Sequence, residues 1–287
     1  MARPYLHHPS LRDRVVLITG GGRGFGWHIA EELLRAGAKV MLTASRKPEE
    51  LTAVKKQAEA IAGPGRCATV RADVAKWEDC QATIEATLKA FGRIDVLVNN
   101  AGRGSNEYRM SLAPGGTKFY EVAAEAFRTI IETNSIGPFY MTKAAVPHML
   151  KQKFGKVFSI STSLDTMCRP GISPYGASKA ALELTHRVWA QELKGTGVDV
   201  NILLPGGASD TAFITAAMRP GAVGTRAGQD GMLPGDVIVP PAVWLCSDAT
   251  NGMTGERIIA KFWDEKLPPD QAMKKCLQPH NQLPGIM

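Results

Sequence analysis

The sequence predicts an α/β protein built on a single doubly wound parallel sheet with helices on both faces. Apolar, β-branched runs alternate with segments of helical periodicity along the whole chain. Strands that alternate with helices form βαβ units, and such units build parallel sheets. A glycine-rich stretch over residues 19–26 directly follows the first predicted strand, which is typical of the first turn of such a unit.

The elements follow from these patterns in order. The first strand, Val15–Thr19, is an apolar run, as expected of a strand covered on both faces. The helix Trp27–Ala36 places its apolar residues on one face, and Gly37 ends it. The remaining predicted elements are the strand Val40–Thr43, the helix Pro48–Ile61, the strand Cys67–Arg71, the helix Trp77–Phe91, the strand Val96–Asn99, the helix Glu121–Leu150, the strand Lys156–Ile160, the helix Ser173–Leu193, and the strands Asp199–Leu204 and Arg257–Lys261.

No composition shift or internal repeat marks a domain boundary, so we expect one domain over residues 1–287. Its core would cover about residues 11–260, after an N-terminal extension of residues 1–10. The longest stretch rich in glycine and proline, Gly206–Pro241, lies between predicted sheet elements and therefore reads as a loop within the domain.

Composition excludes several classes of protein. The net charge is +7, but the basic residues are scattered, so we expect no nucleic-acid partner. No run of 18 apolar residues predicts a membrane span, and the polar first 13 residues do not resemble a secretory signal. The five cysteines are odd in number and widely spaced, which predicts neither a disulfide framework nor a metal site. We therefore expect a reduced, cytoplasmic protein.

The glycine-rich stretch predicts a dinucleotide site. Glycines permit a tight turn and a close approach of the backbone to a diphosphate, and the following helix start favours an anion. No Lys-Ser/Thr pair follows the glycines, so a P-loop hydrolase is disfavoured. The candidate cofactor residues of this loop are Gly20, Gly22, Arg23, Gly24, Phe25 and Gly26.

The end of the second strand favours NADP(H) over NAD(H). An NAD site usually has an acidic residue about 20 residues after the glycines, where it binds the ribose 2′-hydroxyl. Here that place holds Ser45 and Arg46, and the first acid is Glu49. A 2′-phosphate would be bound well by these two residues together with Arg23. The alternative is that Arg46 is an exposed residue of a loop.

Tyr175 and Lys179 are four residues apart in a predicted helix, so their side chains share one face. Oxidation of an alcohol needs a base, and reduction of a ketone needs an acid at the forming alkoxide. A free phenol has a pKa of about 10, and a nearby ammonium together with a cationic nicotinamide ring would lower it. By itself this pair is a common pattern, and a surface tyrosine above a solvated lysine would explain it too.

Three hydroxyl residues, Ser161, Thr162 and Ser163, end the strand before this helix. Ligands of a doubly wound sheet bind outside the carboxyl ends of the strands, so these hydroxyls would face the same crevice. One of them could hold the substrate oxygen. The alternative is an ordinary Ser/Thr turn at the end of a strand.

Several motifs occur in a fixed order and together carry a resemblance. They are Thr19-Gly-x-x-x-Gly-x-Gly26, Asp73 after the third strand, Asn99-Asn100-Ala101-Gly102 after the fourth, Asn134 in the next helix, Tyr175-x-x-x-Lys179, and Pro205-Gly206 after the sixth. In order and spacing the set resembles the short-chain dehydrogenase/reductase family, with its Rossmann-type fold, over roughly Leu11 to Ala260. A resemblance of this kind implies an oxidoreductase acting on a small-molecule alcohol or ketone, and a homo-oligomer (a dimer or tetramer).

The resemblance also implies roles for individual residues. Tyr175 would be the acid/base, Lys179 would bind the nicotinamide ribose and lower the pKa of Tyr175, and Asn134 would hold a water in a proton relay. Further cofactor contacts would come from Asp73 and Val74 at the adenine, from Asn100, Ala101 and Gly102 along the adenosine ribose, and from Pro205, Gly206 and Thr211 toward the carboxamide.

The sequence departs from the family pattern at three places. The hydroxyl residue 13 positions before the tyrosine is Thr162 where the family usually has serine, and Ser163 is the reserve candidate. An insertion at residues 103–118 lengthens the segment before Asn134, and a proline-rich tail covers residues 264–287. Both segments could shape the substrate pocket or a contact between subunits.

The substrate is not specified by any motif. The predicted substrate loop, residues 207–235, is rich in glycine and alanine and suits a mobile cover over a mostly apolar ligand. A second function class is a catalytically silent regulator that binds a dinucleotide. The presence of Tyr175, Lys179 and Asn134 argues against it, and only the threonine at position 162 supports it.

Overall fold

The computed structural model describes residues 8–104, 117–209 and 232–279. The strands are β1 (Val15–Ile18), β2 (Lys39–Ala44), β3 (Cys67–Arg71), β4 (Val96–Asn99), β5 (Gly155–Ile160), β6 (Val198–Leu204) and β7 (Arg257–Ile259). They form one sheet in the order β3-β2-β1-β4-β5-β6-β7, and every neighbouring pair is parallel. The predicted doubly wound sheet is therefore confirmed.

Helices cover both faces of this sheet. They are α1 (Gly24–Arg35), α2 (Pro48–Ala62), α3 (Trp77–Phe91), α4 (Ala124–Ile131), α5 (Gly137–Gln152), α6 (Leu164–Met167), α7 (Ser173–Glu192), α8 (Val239–Leu245) and α9 (Pro269–Cys276). Helices α1, α2, α8 and α9 contribute to one apolar cluster, and α3, α5 and α7 contribute to a second; a small third cluster joins Leu182 of α7 to β6. On β1 the alternation of side chains sends Val16 and Ile18 to the first cluster and Leu17 to the second.

The helix predicted over Glu121–Leu150 contains a change of winding. It begins at Ala124, and a π-helical turn over Glu132–Ile136 separates α4 from α5. Pro138 has no N–H to donate to the carbonyl of Asn134, so the regular hydrogen-bond ladder cannot continue there. Turns of this kind often occur at functional sites, and this one contains the predicted residue Asn134.

The C-terminal part of the chain differs most from the prediction. The strand predicted over Arg257–Lys261 ends at Ile259 and continues as a 3₁₀ turn. Helix α8, which was not predicted, begins with prolines in its first turn, where the missing N–H groups are tolerated. The proline-rich tail contains α9, whose Met273 and Cys276 are buried in the first apolar cluster.

Candidate active site

The order of the strands reverses between β1 and β4, which lie side by side in the sheet. The loops that follow these two strands therefore leave in opposite directions and open a crevice at the carboxyl edge, where such folds bind ligands. The glycine-rich loop follows β1, and the Asn-Asn-Ala-Gly segment follows β4. The sequence-predicted cofactor residues of both loops are thus brought to one crevice.

Thr19 and Asn100 join the two loops. The Thr19 hydroxyl accepts hydrogen bonds from the amides of Asn100 (3.1 Å) and Ala101 (3.0 Å). The Asn100 side chain donates to the carbonyls of Thr19 (2.9 Å) and Gly20 (3.0 Å). Asn100, predicted to line the cofactor, therefore also fixes the shape of the glycine loop.

The glycine loop needs its glycines for geometry. Gly20 and Gly24 have φ angles of +64° and +55°, in the left-handed region. A methyl group on Gly26 would lie only 2.5 Å from the carbonyl oxygen of Gly20. Helix α1 begins at Gly24, so the free N–H groups of its first turn lie at the end of this loop and favour an anion there.

Cations gather beside the glycine loop at the end of β2. Arg46 is exposed, and Arg23 lies on the loop itself. Glu50, which sequence reasoning did not select, places Oε1 3.7 Å from both Arg23 Nη1 and Lys47 Nζ. Ser45 and Arg46 stand as predicted at the carboxyl end of β2, with a carboxylate beside the basic cluster.

The segment after β3 lies beside the end of β2, because the two strands are neighbours in the sheet. Asp73 accepts a hydrogen bond from the amide of Ala75 (3.1 Å), and its Oδ2 lies 4.0 Å from Arg103 Nη2. Val74 is buried, and a methyl on Gly137 would lie 2.7 Å from its Cγ2. Asp73 is therefore linked to the residue that follows the Asn-Asn-Ala-Gly segment.

The predicted catalytic residues meet at the carboxyl end of β5. Helix α7 carries Tyr175 and Lys179 one turn apart, and the Tyr175 phenol is hydrogen-bonded to the Thr162 side chain. Lys179 Nζ donates to the carbonyl of Ile160 at 2.7 Å and lies 5.8 Å from the centre of the Tyr175 ring.

Asn134 reaches this group from the π-helical turn. Its Oδ1 accepts from the amide of Arg103 (2.8 Å), and its Nδ2 donates to the Arg103 carbonyl (2.9 Å) and to Ser178 Oγ (3.0 Å). Ser178 is the neighbour of Lys179 on α7. Asn134 thus connects the loop after β4 with the catalytic helix.

The three hydroxyls that end β5 have three different partners. Ser161 Oγ donates to Glu183 Oε1 at 2.6 Å; Glu183 lies on α7, one turn after Lys179. Ser163 Oγ accepts from the amide of Thr166 and caps α6. Thr162 is the member of the three that contacts Tyr175.

Burial controls the protonation of the catalytic pair. Burial raises the pKa of Tyr175 to about 12, and the hydrogen bond from Thr162 lowers it only in part. Burial also lowers the pKa of Lys179 to about 8, against the opposing effect of Glu183. The sequence predicted that the ammonium and a cationic nicotinamide ring together lower the pKa of the phenol; burial acts on this pKa in the opposite direction.

Gly102 connects the loop after β4 with the candidate catalytic residues. A methyl on Gly102 would lie 3.5 Å from Asn134 Oδ1 and 4.0 Å from Lys179 Nζ, at ordinary contact distance. The glycine loop and the free N–H groups at the start of α1 fit the diphosphate of a nicotinamide dinucleotide.

Gly206 follows β6 with a φ of +92°, and Thr211 lies outside the described residues. Most of the predicted insertion and substrate loop also lies outside them, as do residues 280–287 of the tail. Within residues 8–104, 117–209 and 232–279, no cluster of three His, Cys, Asp or Glu side chains is suited to a metal ion. No helix in those ranges has the length and apolar character needed to cross a membrane.

Besides Glu50, sequence reasoning missed two buried residues next to the candidate catalytic group. Glu183 lies four residues after Lys179 and is buried beside Ser161, and Arg257 begins β7 and is also buried. Arg257 Nε donates to Glu183 Oε2 at 2.9 Å. A charged residue at the start of a buried strand was the signal that could have identified this pair.

Known proteins are similar to this chain in sequence. The family model of the short chain dehydrogenases matches residues 14–220. A 3-oxoacyl-[acyl-carrier-protein] reductase of Synechocystis sp. is 37% identical over 69% of this chain and 75% of its own length. An L-fucose dehydrogenase of Bos taurus is 31% identical over 83% of this chain and 84% of its own.

A solved structure has the same fold. The 3-ketoacyl-(acyl-carrier-protein) reductase of Brucella melitensis, in complex with NADH, has a TM-score of 0.71 at 27% identity, covering 86% of this chain and 96% of that one. The chain therefore belongs to the short-chain dehydrogenase/reductase family, oxidoreductases that bind a nicotinamide dinucleotide and act on CH–OH or C=O groups.

Proposed function

We propose that this enzyme transfers a hydride between NADP(H) and the alcohol or ketone carbon of a mostly apolar small molecule, with Tyr175 as the acid/base. The observation that carries the proposal is the arrangement of Thr162, Tyr175 and Lys179 around one end of β5. A phenol that is hydrogen-bonded to one hydroxyl and lies beside one ammonium is suited to exchange a proton with a substrate oxygen.

Tyr175, Thr162 and Lys179 have different roles in the reaction. A bound nicotinamide supplies or accepts the hydride. In the direction of reduction Tyr175, protonated at neutral pH because burial raises its pKa to about 12, donates its proton to the oxygen of the substrate. Thr162 donates a hydrogen bond to the same oxygen and holds it in place. Lys179 places a positive charge near the phenolate that forms and so stabilises it.

The cations at the end of β2 support the choice of NADP(H). Ser45, Arg46 and Arg23 offer one hydroxyl and two guanidinium groups to a 2′-phosphate, and guanidinium groups bind phosphate well. Glu50 should weaken the binding of a 2′-phosphate, because its carboxylate lies 3.7 Å from the guanidinium of Arg23 and competes for it. The Brucella melitensis relative was solved with NADH, so the proposal of NADP(H) rests on these residues of the chain itself.

Apolar residues near the site support an apolar substrate. Met167 of α6 and Met232 of the substrate loop are half-buried, and Leu164 is exposed. The two relatives act on an acyl chain and on a sugar by their names, so neither substrate is carried over to this chain.

Exposed Phe139 on α5 and Val188 on α7 support the homo-oligomer that we also infer.

The function is tested by following NADPH absorbance with three probes, namely cyclohexanone, acetophenone and acetoacetyl-coenzyme A. We expect oxidation of NADPH with at least one of them, and its loss in Tyr175→Phe. Tight NADPH binding with no oxidation by any ketone or by the reverse assay with the matching alcohols would favour the regulator instead.

A further inference from the structure

The backbone that presents Thr162 is held by side chains from two elements. Lys179 donates to the carbonyl of Ile160 at 2.7 Å, and Ser161 donates to Glu183. Arg257 Nη2 donates to the carbonyl of Thr162 itself at 2.8 Å. The position of the Thr162 hydroxyl therefore depends on α7 and on β7.

Arg257 connects this backbone to a buried ion pair. Its Nε donates to Glu183 Oε2 at 2.9 Å while Glu183 Oε1 accepts from Ser161, so both carboxylate oxygens are used. The side chains of Arg257 and Glu183 are only 8% and 11% exposed. The planar guanidinium thus bridges a carboxylate on the catalytic helix and the carbonyl of the hydroxyl residue.

The C-terminal segment holds the other side of the guanidinium. Arg257 Nη1 donates to Gln278 Oε1, and the amide of Gln278 donates to the carbonyl of Arg257 at 2.9 Å. Leu277 forms an antiparallel bridge with Ile258, so this part of the tail adds to the edge of the sheet. The tail is therefore linked to Thr162 through one arginine.

We propose that Glu183, Arg257 and Gln278 are positioning residues that set the Thr162 hydroxyl against Tyr175, so that the C-terminal segment is needed for turnover. This inference rests on the proposed function, in which Thr162 holds the substrate oxygen. None of the three residues is proposed to touch the substrate, and each acts through the backbone of Thr162.

Directed hydrogen bonds distinguish this role from simple stabilisation. A buried ion pair often adds little to stability, and apolar residues of similar volume can replace it without loss. Apolar residues would fill the same space, but they cannot hold the carbonyl of Thr162. Replacement should therefore separate folding from catalysis.

The first experiment changes the tail alone. Gln278→Leu removes the acceptor of Arg257, whereas Gln278→Glu keeps it; Lys275→Met removes the tail ion pair with Asp264 and is the control. We measure kcat and KM with the best of the three ketone probes, and the dissociation constant of NADPH. In Gln278→Leu we expect kcat to fall by about tenfold, since a displacement of about 1 Å in a reacting group can cost up to about 10²-fold. In Gln278→Glu and in the control Lys275→Met we expect kcat near the wild-type value. The dissociation constant of NADPH should be that of the wild type in all three variants.

The second experiment tests the route through Thr162. The double variant Glu183→Leu/Arg257→Met removes both charges together, so that no unpaired charge stays buried, and it is combined with Thr162→Val. If the network acts through the Thr162 hydroxyl, the double substitution should lower kcat in the enzyme with Thr162 but should not lower it further in Thr162→Val. Hydrogen exchange of the peptide that contains Thr162 should also increase in the double variant.

The outcomes separate the two proposals. The positioning role would be overturned if the Glu183→Leu/Arg257→Met substitutions lowered kcat by the same factor with and without the Thr162 hydroxyl. A wild-type kcat in Gln278→Leu would overturn it too. An active Thr162→Val would instead overturn the proposed role of Thr162 in holding the substrate oxygen, and Tyr175→Phe tests the rest of the proposed function separately. Should the double variant not fold, Gln278→Leu with its control still decides the question.

Discussion

Lys179 donates a hydrogen bond of 2.7 Å to the carbonyl of Ile160, two residues before Thr162. Tyr175 lies one turn earlier on the same helix and is hydrogen-bonded to Thr162. The ammonium therefore joins α7 to the end of β5 at the point where the acid and the hydroxyl must meet. Lys179 therefore has a structural role, the hydrogen bond to Ile160, and an electrostatic role, its positive charge near Tyr175. A substitution of Lys179 would disturb both roles.

Tyr175→Phe should separate catalysis from binding. The substitution removes the proton donor and keeps the ring, so we expect the dissociation constant of NADPH to stay near the wild-type value. Turnover should fall by about 10² or more, the scale of acid/base catalysis. NADPH fluorescence titration and steady-state rates measure the two quantities. Turnover that survives the substitution would assign the acid to another residue.

Substitutions at the end of β5 should show three different effects. Thr162→Val keeps the shape and loses the hydroxyl, and we expect a loss of roughly 2–4 kcal/mol of transition-state stabilisation, while Thr162→Ser keeps most activity. Ser163→Ala removes the cap of α6 and should lower stability by about 1 kcal/mol, with turnover retained. Ser161→Ala leaves Glu183 with one donor fewer and should cost about 1–3 kcal/mol in the free energy of unfolding.

Rates and urea unfolding of the four variants distinguish these effects. An active Thr162→Val beside an inactive Ser163→Ala would move the catalytic hydroxyl by one residue. Ser161→Ala with wild-type stability would show that its contact with Glu183 contributes nothing measurable.

Periodicity was sufficient for the sheet because each strand and its helix bury a local apolar pattern. It failed where backbone chemistry decided the outcome. The π-helical turn at Asn134 depends on Pro138, and α8 begins on prolines, which a helix tolerates in its first turn. Neither feature changes the apolar period on which the prediction rested.

The proximity of Thr162, Tyr175 and Lys179 was predictable because their spacing along one helix and one strand end is local. The network of Glu183, Arg257 and Gln278 was not, since its members are far apart in the sequence and meet only in the folded sheet. The burial of Tyr175, which raises the pKa of its phenol, was not predictable for a related reason: spacing predicts that a lysine is near, but it does not predict burial.

Two glycine substitutions should differ in what they disrupt. Gly102→Ala adds a methyl at ordinary contact distance from Asn134 and Lys179, so we expect the protein to fold while NADPH binding weakens by about tenfold or more, or about 1.4 kcal/mol. Gly26→Ala would place a methyl 2.5 Å from the carbonyl of Gly20, so it should lower the melting temperature. Thermal unfolding and NADPH titration compare the two. Wild-type affinity in Gly102→Ala would place the cofactor elsewhere.

Cofactor preference should follow the charges beside the glycine loop. We expect NADPH to bind at least about tenfold tighter than NADH, or about 1.4 kcal/mol. Arg46→Asp should reverse much of this preference. Glu50→Gln removes the carboxylate that lies 3.7 Å from Arg23 and Lys47, and it should strengthen NADPH binding without affecting NADH. Isothermal titration with both cofactors is the measurement, and equal affinities in the natural enzyme would contradict the assignment.

His186 should make the fold sensitive to acid. Its Nδ1 lies 2.9 Å from the carbonyl of Leu182, which can only accept, so Nδ1 carries the proton and Nε2 accepts from Ser159 at 2.6 Å. Burial lowers the pKa of His186 to about 4, from 6.5 for an exposed histidine. The ring is neutral in both states above pH 6.5, and there its contribution to stability is complete. Below pH 6.5 the unfolded chain takes up a proton that the folded chain does not, so stability is lost between pH 6.5 and 4.

This linkage amounts to roughly 3 kcal/mol over that interval, at 1.36 kcal/mol for each pKa unit. His186→Gln keeps a polar partner for Ser159 but cannot titrate, so its free energy of unfolding should fall less steeply with acid than that of the natural enzyme. Urea unfolding at pH 7, 5.5 and 4.5 gives both curves, with His28→Gln on α1 as the control for loss of a histidine. Carboxylates titrate in the same range in every variant, so the difference between the curves isolates His186. Parallel curves for the natural enzyme and His186→Gln would mean that the buried ring takes up its proton without loss of the fold.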